Sequence, residues 1–300
     1  MRFVSFRHAG EDRAGVLEGD GAGAEDGVFD LAHPTMADAL GGVAPNVHAL
    51  ILAGLPEIVA RLAAHGLADA ARLPLAEVDL LAPYVPPRIY ALAFNYRDAL
   101  AERGMAPPAE PVLFMKQAST VVGPGAPILL PPDIGGCTYE VEIAAVIGRR
   151  AEKVAREDAL SHVAAYAVFN DISASEMIKR DGGFTRGKNL PTFGPLGPFL
   201  ASADEIADPH ALALSLEVDG ARLQEGVSSD LVFDIADLVS RLSQAQVLEP
   251  GDVIATGTPA GVAGMRKPPA WLRPGSVVRA RVEGLGALVN PIVEGAPYGE

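Results

Sequence analysis

Three carboxylates in the chain have the types and spacing to hold one hard cation: Glu140 and Glu142, in Tyr139-Glu140-Val141-Glu142-Ile143, and Asp171 further along. Alternate residues of a strand share a face, so the two glutamates would stand on one side with Cα atoms ~7 Å apart. A Glu-x-Glu pair is often only a solvated strand face. Here Ala144, Ala145, Val146 and Ile147 continue the segment without alternation. That predicts a strand covered on both faces, where unpaired carboxylates are costly and a positive partner is required. Asp171 follows the apolar run 164–169 and precedes Ser173-Ala174-Ser175-Glu176, a capping-box pattern that predicts a helix start. An aspartate at such a corner can equally be a local cap. Taken together, carboxylates with no neighbouring His or Cys suit Mg²⁺ or Mn²⁺, with Ca²⁺ also admissible, and disfavour Zn²⁺. One oxygen from each would leave positions open for substrate and water, as a catalytic ion needs.

Two further stretches fit an anionic substrate. The apolar loop from Gly183 through Pro198 carries Arg186 and Lys188. A lysine there is usually solvated; pointed at the ion, Lys188 could neutralise a developing enolate or oxyanion. Residues 255–262, Ala-Thr-Gly-Thr-Pro-Ala-Gly-Val, follow a strand and offer a hydroxyl on Thr258 and an approachable backbone N–H at Gly257, a carboxylate cradle or else a tight turn.

The elements that must position these groups are mostly strands. Short apolar runs at 89–93, 112–115, 128–130, 139–147, 164–169, 212–218, 253–255 and 277–282, separated by Gly and Pro, predict a mainly β, α+β domain with a few helices. Ahead of them, strand-like pieces at 2–6, 14–18 and 27–31 precede a helix from Pro56, with Ile58, Val59 and Leu62 as its apolar stripe and Gly66 at its end. Pro83, Pro86 and Pro87 form a stiff break, so the expected division is a small α+β domain at 1–85 and a catalytic domain at 86–300. The stretch through Gly104, Pro107 and Pro108 is open to two readings, a mobile lid or a long connection.

Acidic residues outnumber basic ones by 38 to 24, a formal charge of −14. Phosphate backbones and anionic membrane surfaces are repelled at long range, so neither nucleic acid nor a membrane is an expected partner. A small anion remains possible, because a bound cation reverses the field locally. The lone Cys137 excludes an internal disulfide and reads as a buried bystander in a reducing compartment. No apolar h-region follows the N-terminal strand and no run approaches ~18 apolar residues, so a cytoplasmic protein is expected.

In order along the chain, Asn95-Tyr96, Tyr139-Glu140-Val141-Glu142, Asn170-Asp171, Gly187-Lys188, Gly194-Pro195-Leu196-Gly197-Pro198, Thr256 to Val262, Leu272-Arg273-Pro274-Gly275 and Asn290-Pro291 resemble the fumarylacetoacetate hydrolase family. The resemblance implies a mixed β-roll, usually dimeric, with magnesium or manganese on Glu140, Glu142 and Asp171. It further implies cleavage of C–C bonds in acylpyruvates, decarboxylation of oxaloacetate, or isomerisation of unsaturated 2-oxo diacids, chemistry typical of aromatic-compound catabolism. A 2-oxo acid would present its carboxylate and keto oxygens to the ion; cleavage at C3 leaves an enolate held with the help of Lys188, while Thr258 holds the substrate carboxylate.

The chain departs from that frame in two places. Many members read Asn-Tyr-x-x-His-x-x-Glu, the His and Glu forming a proton-transfer pair; this chain has Ala99 and Glu102 there. Many carry an arginine four residues after the aspartate, where Ser175 stands. The expected activity is C–C cleavage, by hydrolysis or decarboxylation, of a small 2-oxo or 2,4-dioxo acid, with Glu102 as base. Keto–enol isomerisation and, outside enzymes, a binding or scaffold role are the alternatives. A dinucleotide fold and a serine hydrolase are excluded by the lack of Gly-x-Gly-x-x-Gly after a strand and of Gly-x-Ser-x-Gly.

Overall fold

A computed structural model describes residues 1–21, 23 and 26–299. The strand Val141–Ile147 pairs antiparallel with Val163–Asn170, placing Glu142 opposite Phe169 and Val141 opposite Asn170. On its other edge lies Val253–Ala255, followed by a parallel strand, Ile89–Ala93, and then Val112–Lys116. Beyond Val163–Asn170 comes Gly194–Ser202, and beyond that the N-terminal strand Arg2–His8, with Arg2 opposite Ala201. The resulting sheet has twelve strands; a second, of five, runs from Ala221–Val227 through Ala213–Val218, Val277–Val282 and Gly286–Glu294 to Ile128–Leu130.

The unalternating 144–147 run is explained by burial on both faces. Ile143, Ala145 and Ile147 join a core with Leu214, Leu216, Val278 and Leu288 of the second sheet. Ala144 and Val146 face the other way, into a core with Leu50, Ile51, Leu55, Ile58 and Leu62 of the helices Val47–Leu52 and Leu55–His65. The first 85 residues thus share both a sheet and a core with those that follow, and the 85/86 division is a proposal about folding units. The Pro56 helix runs Leu55–His65 and ends on Gly66, whose φ of 81° only glycine adopts freely.

Three local expectations need correction. The strand begins at Val141, not Tyr139, so Glu140 lies just outside it. The capping box does not form: Ser173 and Ala174 pair with Thr138 and Cys137 as a two-residue strand, and the Ser173 hydroxyl donates to the Asp171 carbonyl at 3.0 Å. The helix starts instead at Ser175. Finally, the Gly/Pro-rich stretch expected as a loop becomes the buried strand Gly194–Ser202. Pro198 is tolerated because it falls where the register against Val163–Asn170 shifts, a bulge where a missing N–H costs no ladder bond, and Pro195 stands opposite Val122 in a short parallel pairing. Cys137 is buried, and burial pushes its thiol up to about 12.

Candidate metal centre and its cleft

Glu140 reaches the site because pairing continues past the strand end. The Asp171 N–H donates to the Glu140 carbonyl at 2.9 Å, and the Glu140 N–H donates to Asn170 Oδ1 at 3.0 Å. One oxygen from each of Glu140, Glu142 and Asp171 lies within 4.8 Å of the others. Glu142 and Asp171 are fully buried, whereas the Glu140 side chain keeps 17% of its surface.

Two lysines face this cluster. Lys188 Nζ donates to Glu140 Oε2 at 2.8 Å and to Asp171 Oδ2 at 2.6 Å. Lys116 Nζ, also buried, stands 2.7 Å from Asp171 Oδ1 but out of line for a hydrogen bond, and donates instead to the Lys188 carbonyl. Burial alone would lower Lys188, yet the summed attraction of Asp171, Glu140 and Glu142 holds it above the ordinary lysine range. Burial lowers Lys116 despite Asp171. Glu142 is pushed well above its usual range by burial and by the carboxylates of Asp171 and Glu140. Burial also raises Glu140, against the pull of Lys188.

These residues fit a divalent ion. Glu142 Oε1 is buried without a hydrogen-bond partner, a costly state that a cation relieves. Three carboxylates against two ammonium groups leave one negative charge uncompensated. A divalent cation would turn that into one positive charge, suited to an anionic substrate. The donors are all oxygen, as hard cations prefer.

The 255–262 stretch divides its labour. The Gly257 N–H donates to Glu142 Oε2 at 2.9 Å, so this donor orients a carboxylate of the cluster. Its φ is 89°, and a Cβ there would meet Asn95 Cβ at 3.1 Å and the Leu92 carbonyl at 3.2 Å. Asn95 explains the closeness: its amide donates to the Thr256 and Phe233 carbonyls at 2.8 and 3.1 Å and accepts from the Phe233 N–H at 2.9 Å. Thr258 does line the cleft. Its hydroxyl accepts from Gln224 Nε2 at 2.8 Å, which leaves the hydroxyl proton free to donate.

The cleft, about 180 Å³, is lined by Glu140, Lys188, Thr258, Ser173 and Ser175 and by Phe94, Ala99, Leu100, Arg103 and Phe184. That is below the ~300–1,000 Å³ of drug-sized pockets and suits a small metabolite. A larger hollow of about 440 Å³ lies against the Ala213–Val218 and Val277–Val282 strands, far from any carboxylate cluster found among the described residues. The ambiguous 97–108 stretch begins as the short helix Arg97–Glu102. Its start is tied to the 228–233 segment by the Asp98 N–H donating to Asp230 Oδ2 at 2.8 Å and Arg97 donating to the Leu231 carbonyl. Ala99 is buried against the cleft. Glu102 is exposed and accepts from the Gly261 N–H at 3.3 Å; it does not line the cleft. Phe94, at the strand exit, holds a φ of 60°, rare for a bulky residue. Its ring tilts against Phe184, 6.5 Å between centroids, and Phe184 packs on Phe114 at 4.8 Å.

Three residues at this site escaped sequence reading. Lys116 ends an apolar run, a buried cation's one visible sign. Gln224, buried, accepts from the Val141 N–H at 3.0 Å and donates to Thr258 and to the Pro259 carbonyl; it belongs to a strand, Ala221–Val227, too polar to be noticed. Arg103 follows the helix Arg97–Glu102 with no motif around it.

A large mixed sheet is backed by a second sheet, and an all-carboxylate cluster beside a buried lysine offers a candidate site for a divalent ion. The chain belongs to the fumarylacetoacetate hydrolase family: the family model for the fumarylacetoacetate hydrolase C-terminal region matches residues 88–293. It is 36% identical to human mitochondrial oxaloacetate tautomerase FAHD2A over 299 residues, covering 98% of this chain and 92% of that one. Among solved structures, maleylpyruvate hydrolase from Sphingobium sp. SYK-6, in complex with manganese(II) and pyruvate, superposes with a TM-score of 0.79 at 30% identity, covering 98% of this chain and 100% of the other. The 5-carboxymethyl-2-hydroxymuconate delta-isomerase from Mycobacterium smegmatis gives 0.77 at 31% identity, with 98% and 99% covered.

Proposed function

We propose that this chain is a Mg²⁺- or Mn²⁺-dependent enzyme that interconverts the keto and enol forms of a small 2-oxo acid. Support comes first from the pairing of Lys188 with the carboxylate cluster in a cleft that offers no separate base for water. A tautomerase acting on oxaloacetate is also 36% identical over 98% of the chain. Glu140, Glu142 and Asp171 would hold the ion, which when bound supplies Lewis acidity at the substrate's keto oxygen. Lys188 keeps its proton at neutral pH, held above the ordinary range, and donates toward the oxygen on which enolate charge develops. Thr258, braced by Gln224, donates its free hydroxyl proton to the substrate carboxylate. Phe94, Phe184 and the buried Ala99 give the cleft its apolar lining.

Keto–enol interconversion breaks no C–C bond and adds no water: the proton leaving C3 passes to solvent water, the enolate oxygen takes one from Lys188, and solvent reprotonates the lysine. C–C hydrolysis needs a base to activate water. Ala99 cannot serve, and Glu102 lies outside the cleft in this conformation. Hydrolysis or decarboxylation, the expectation from sequence, is kept as the second reading on the likeness to the maleylpyruvate hydrolase; hydrolysis requires Glu102 to swing inward, whereas decarboxylation needs only electron withdrawal and later protonation. Oxaloacetate separates these: with Mg²⁺ or Mn²⁺ the protein should speed decay of the enol's ultraviolet absorbance without releasing pyruvate. Pyruvate release in step with that decay supports the second reading; no effect on any 2-oxo acid overturns both, and favours a scaffold role.

No helix among the described residues is long and apolar enough to cross a membrane. A homodimer is proposed from family resemblance, and a reducing, cytoplasmic setting from the lone Cys137; the human relative carries the word mitochondrial in its name.

A further inference from the structure

Two cations line the cleft, and they differ in what already neutralises them. Lys188 is held by two carboxylates, within 2.8 Å and 2.6 Å. The Arg103 guanidinium has one hydrogen bond among the described residues, from Nη1 to the Ala99 carbonyl at 2.8 Å, and no carboxylate within ion-pair distance. It is half-buried, on the wall facing Glu140, whose carboxyl it helps to lower. In a chain with 38 acidic and 24 basic residues, a guanidinium left without an acidic partner at the rim of a narrow cleft is an open anion receptor. Its planar fork matches a carboxylate with two parallel N–H donors. The anion-binding capacity at the metal end is provided separately, by Thr258 and Lys188. Both receptors line one small cavity.

We propose that Arg103 binds a second, distal carboxylate, so that the substrate class is the 2-oxo dicarboxylates rather than the 2-oxo monocarboxylates. This rests on the 2-oxo-acid reading above and narrows it. Arg103 sets which substrate is preferred; the proton transfer is left to the metal-side wall.

The test is calorimetric binding of 2-oxobutyrate, oxaloacetate, 2-oxoglutarate and 2-oxoadipate to the Mg²⁺-loaded protein, for the natural chain, Arg103→Gln and Arg103→Lys. The natural chain should bind at least one diacid about tenfold tighter than 2-oxobutyrate, the size of one charge-assisted contact. Arg103→Gln should lose that diacid advantage, its loss for the diacid exceeding its loss for the monoacid about tenfold, and Arg103→Lys should restore part of it. Binding of 2-oxobutyrate with no gain for any diacid overturns the Arg103 assignment alone, as does an equal loss for both ligand types in Arg103→Gln. Failure of every 2-oxo acid to bind overturns this inference together with the reading it rests on. Far-ultraviolet circular dichroism and a melting curve for each variant confirm that the losses come from folded protein.

Discussion

The two walls of the cleft are built from opposite materials. On the metal side, Glu142 and Asp171 are buried at the ends of two central strands, Lys116 at the end of the edge strand Val112–Lys116 and Lys188 in a loop, and each is fixed by backbone or by another charge. On the lid side, Ala99 and Arg103 belong to or follow a helix of six residues, too short to be stable alone, moored mainly through Arg97 and Asp98. A buried charged wall tolerates little change, because removing one partner strands the other. A short, half-exposed helix can exchange side chains at low cost. The metal wall therefore sets what can be bound and polarised, and the lid wall sets which substrate and which reaction follow.

The largest effect expected from this contrast is on the metal wall itself. Glu142→Gln should reduce Mg²⁺ or Mn²⁺ affinity beyond the ~100-fold typical of losing an outer contact, measured by calorimetry. The metal-free variant should nevertheless melt higher than the metal-free natural chain at neutral pH, because a buried carboxylate repelled by Asp171 and Glu140 has been made neutral. A lower melting temperature in the metal-free variant would break the claim that this wall is electrostatically strained without its ion.

The same strain fixes a pH dependence. Glu142 and Glu140 are both raised in the folded state, so between the unfolded glutamate value of about 4.3 and their folded values the native chain binds more protons than the unfolded one. Stability of the metal-free protein is then fully present below the unfolded value and declines as pH rises through the folded values. Metal affinity runs the other way, rising with pH as the ion displaces those protons. Melting curves of chelator-treated and Mg²⁺-loaded protein should diverge as pH increases from acid to neutral; parallel curves would sink the assignment.

Next in size is Lys188→Ala, for which a fall of about 10²–10³-fold in kcat is expected from losing a donor to developing charge. Gln224→Ala comes below it. This residue connects the Val141 N–H to Thr258 and the Pro259 carbonyl, so its loss should raise KM about tenfold with kcat less affected, and cost about 1–3 kcal/mol for the stranded buried groups. An equal fall in kcat for Gln224→Ala would place it in the chemistry and not in positioning.

How much of this was legible in the sequence follows the same division between walls. Glu140, Glu142 and Asp171 were readable because strand period, an unalternating apolar run and the lack of soft ligands each constrain them, although Glu140 proved to lie beyond the strand. Continued pairing to Asn170 and Asp171 rescued the geometry. Gly257 was singled out as a substrate contact, yet its N–H faces Glu142; a glycine's need for space is visible in sequence, the direction of its N–H is not. Gln224, Lys116 and Arg103 carry no periodic signature, and they reach the site only through pairings between segments distant in the chain. The strand Gly194–Ser202 was hidden by its prolines, since the bulge that accommodates Pro198 is set by its neighbour Val163–Asn170.

The smallest effect expected is the most informative about the lid. Ala99 faces the cleft from a helix anchored at its start, and its replacement needs room that Leu100 and Phe94 border. Ala99→His should leave metal affinity within about twofold, because no ligand of the cluster touches it, and should lower stability by about 1–3 kcal/mol through overpacking. If the lid wall decides the reaction, an imidazole there supplies the base that water activation lacks. The variant should then release pyruvate from an acylpyruvate at a low but measurable rate, with a pH profile rising through the histidine range, near 6.5, while oxaloacetate enol decay persists. Gain of pyruvate release together with weakened metal binding would show instead that the two walls are coupled, and that specificity and polarisation cannot be assigned to separate sides of the cleft.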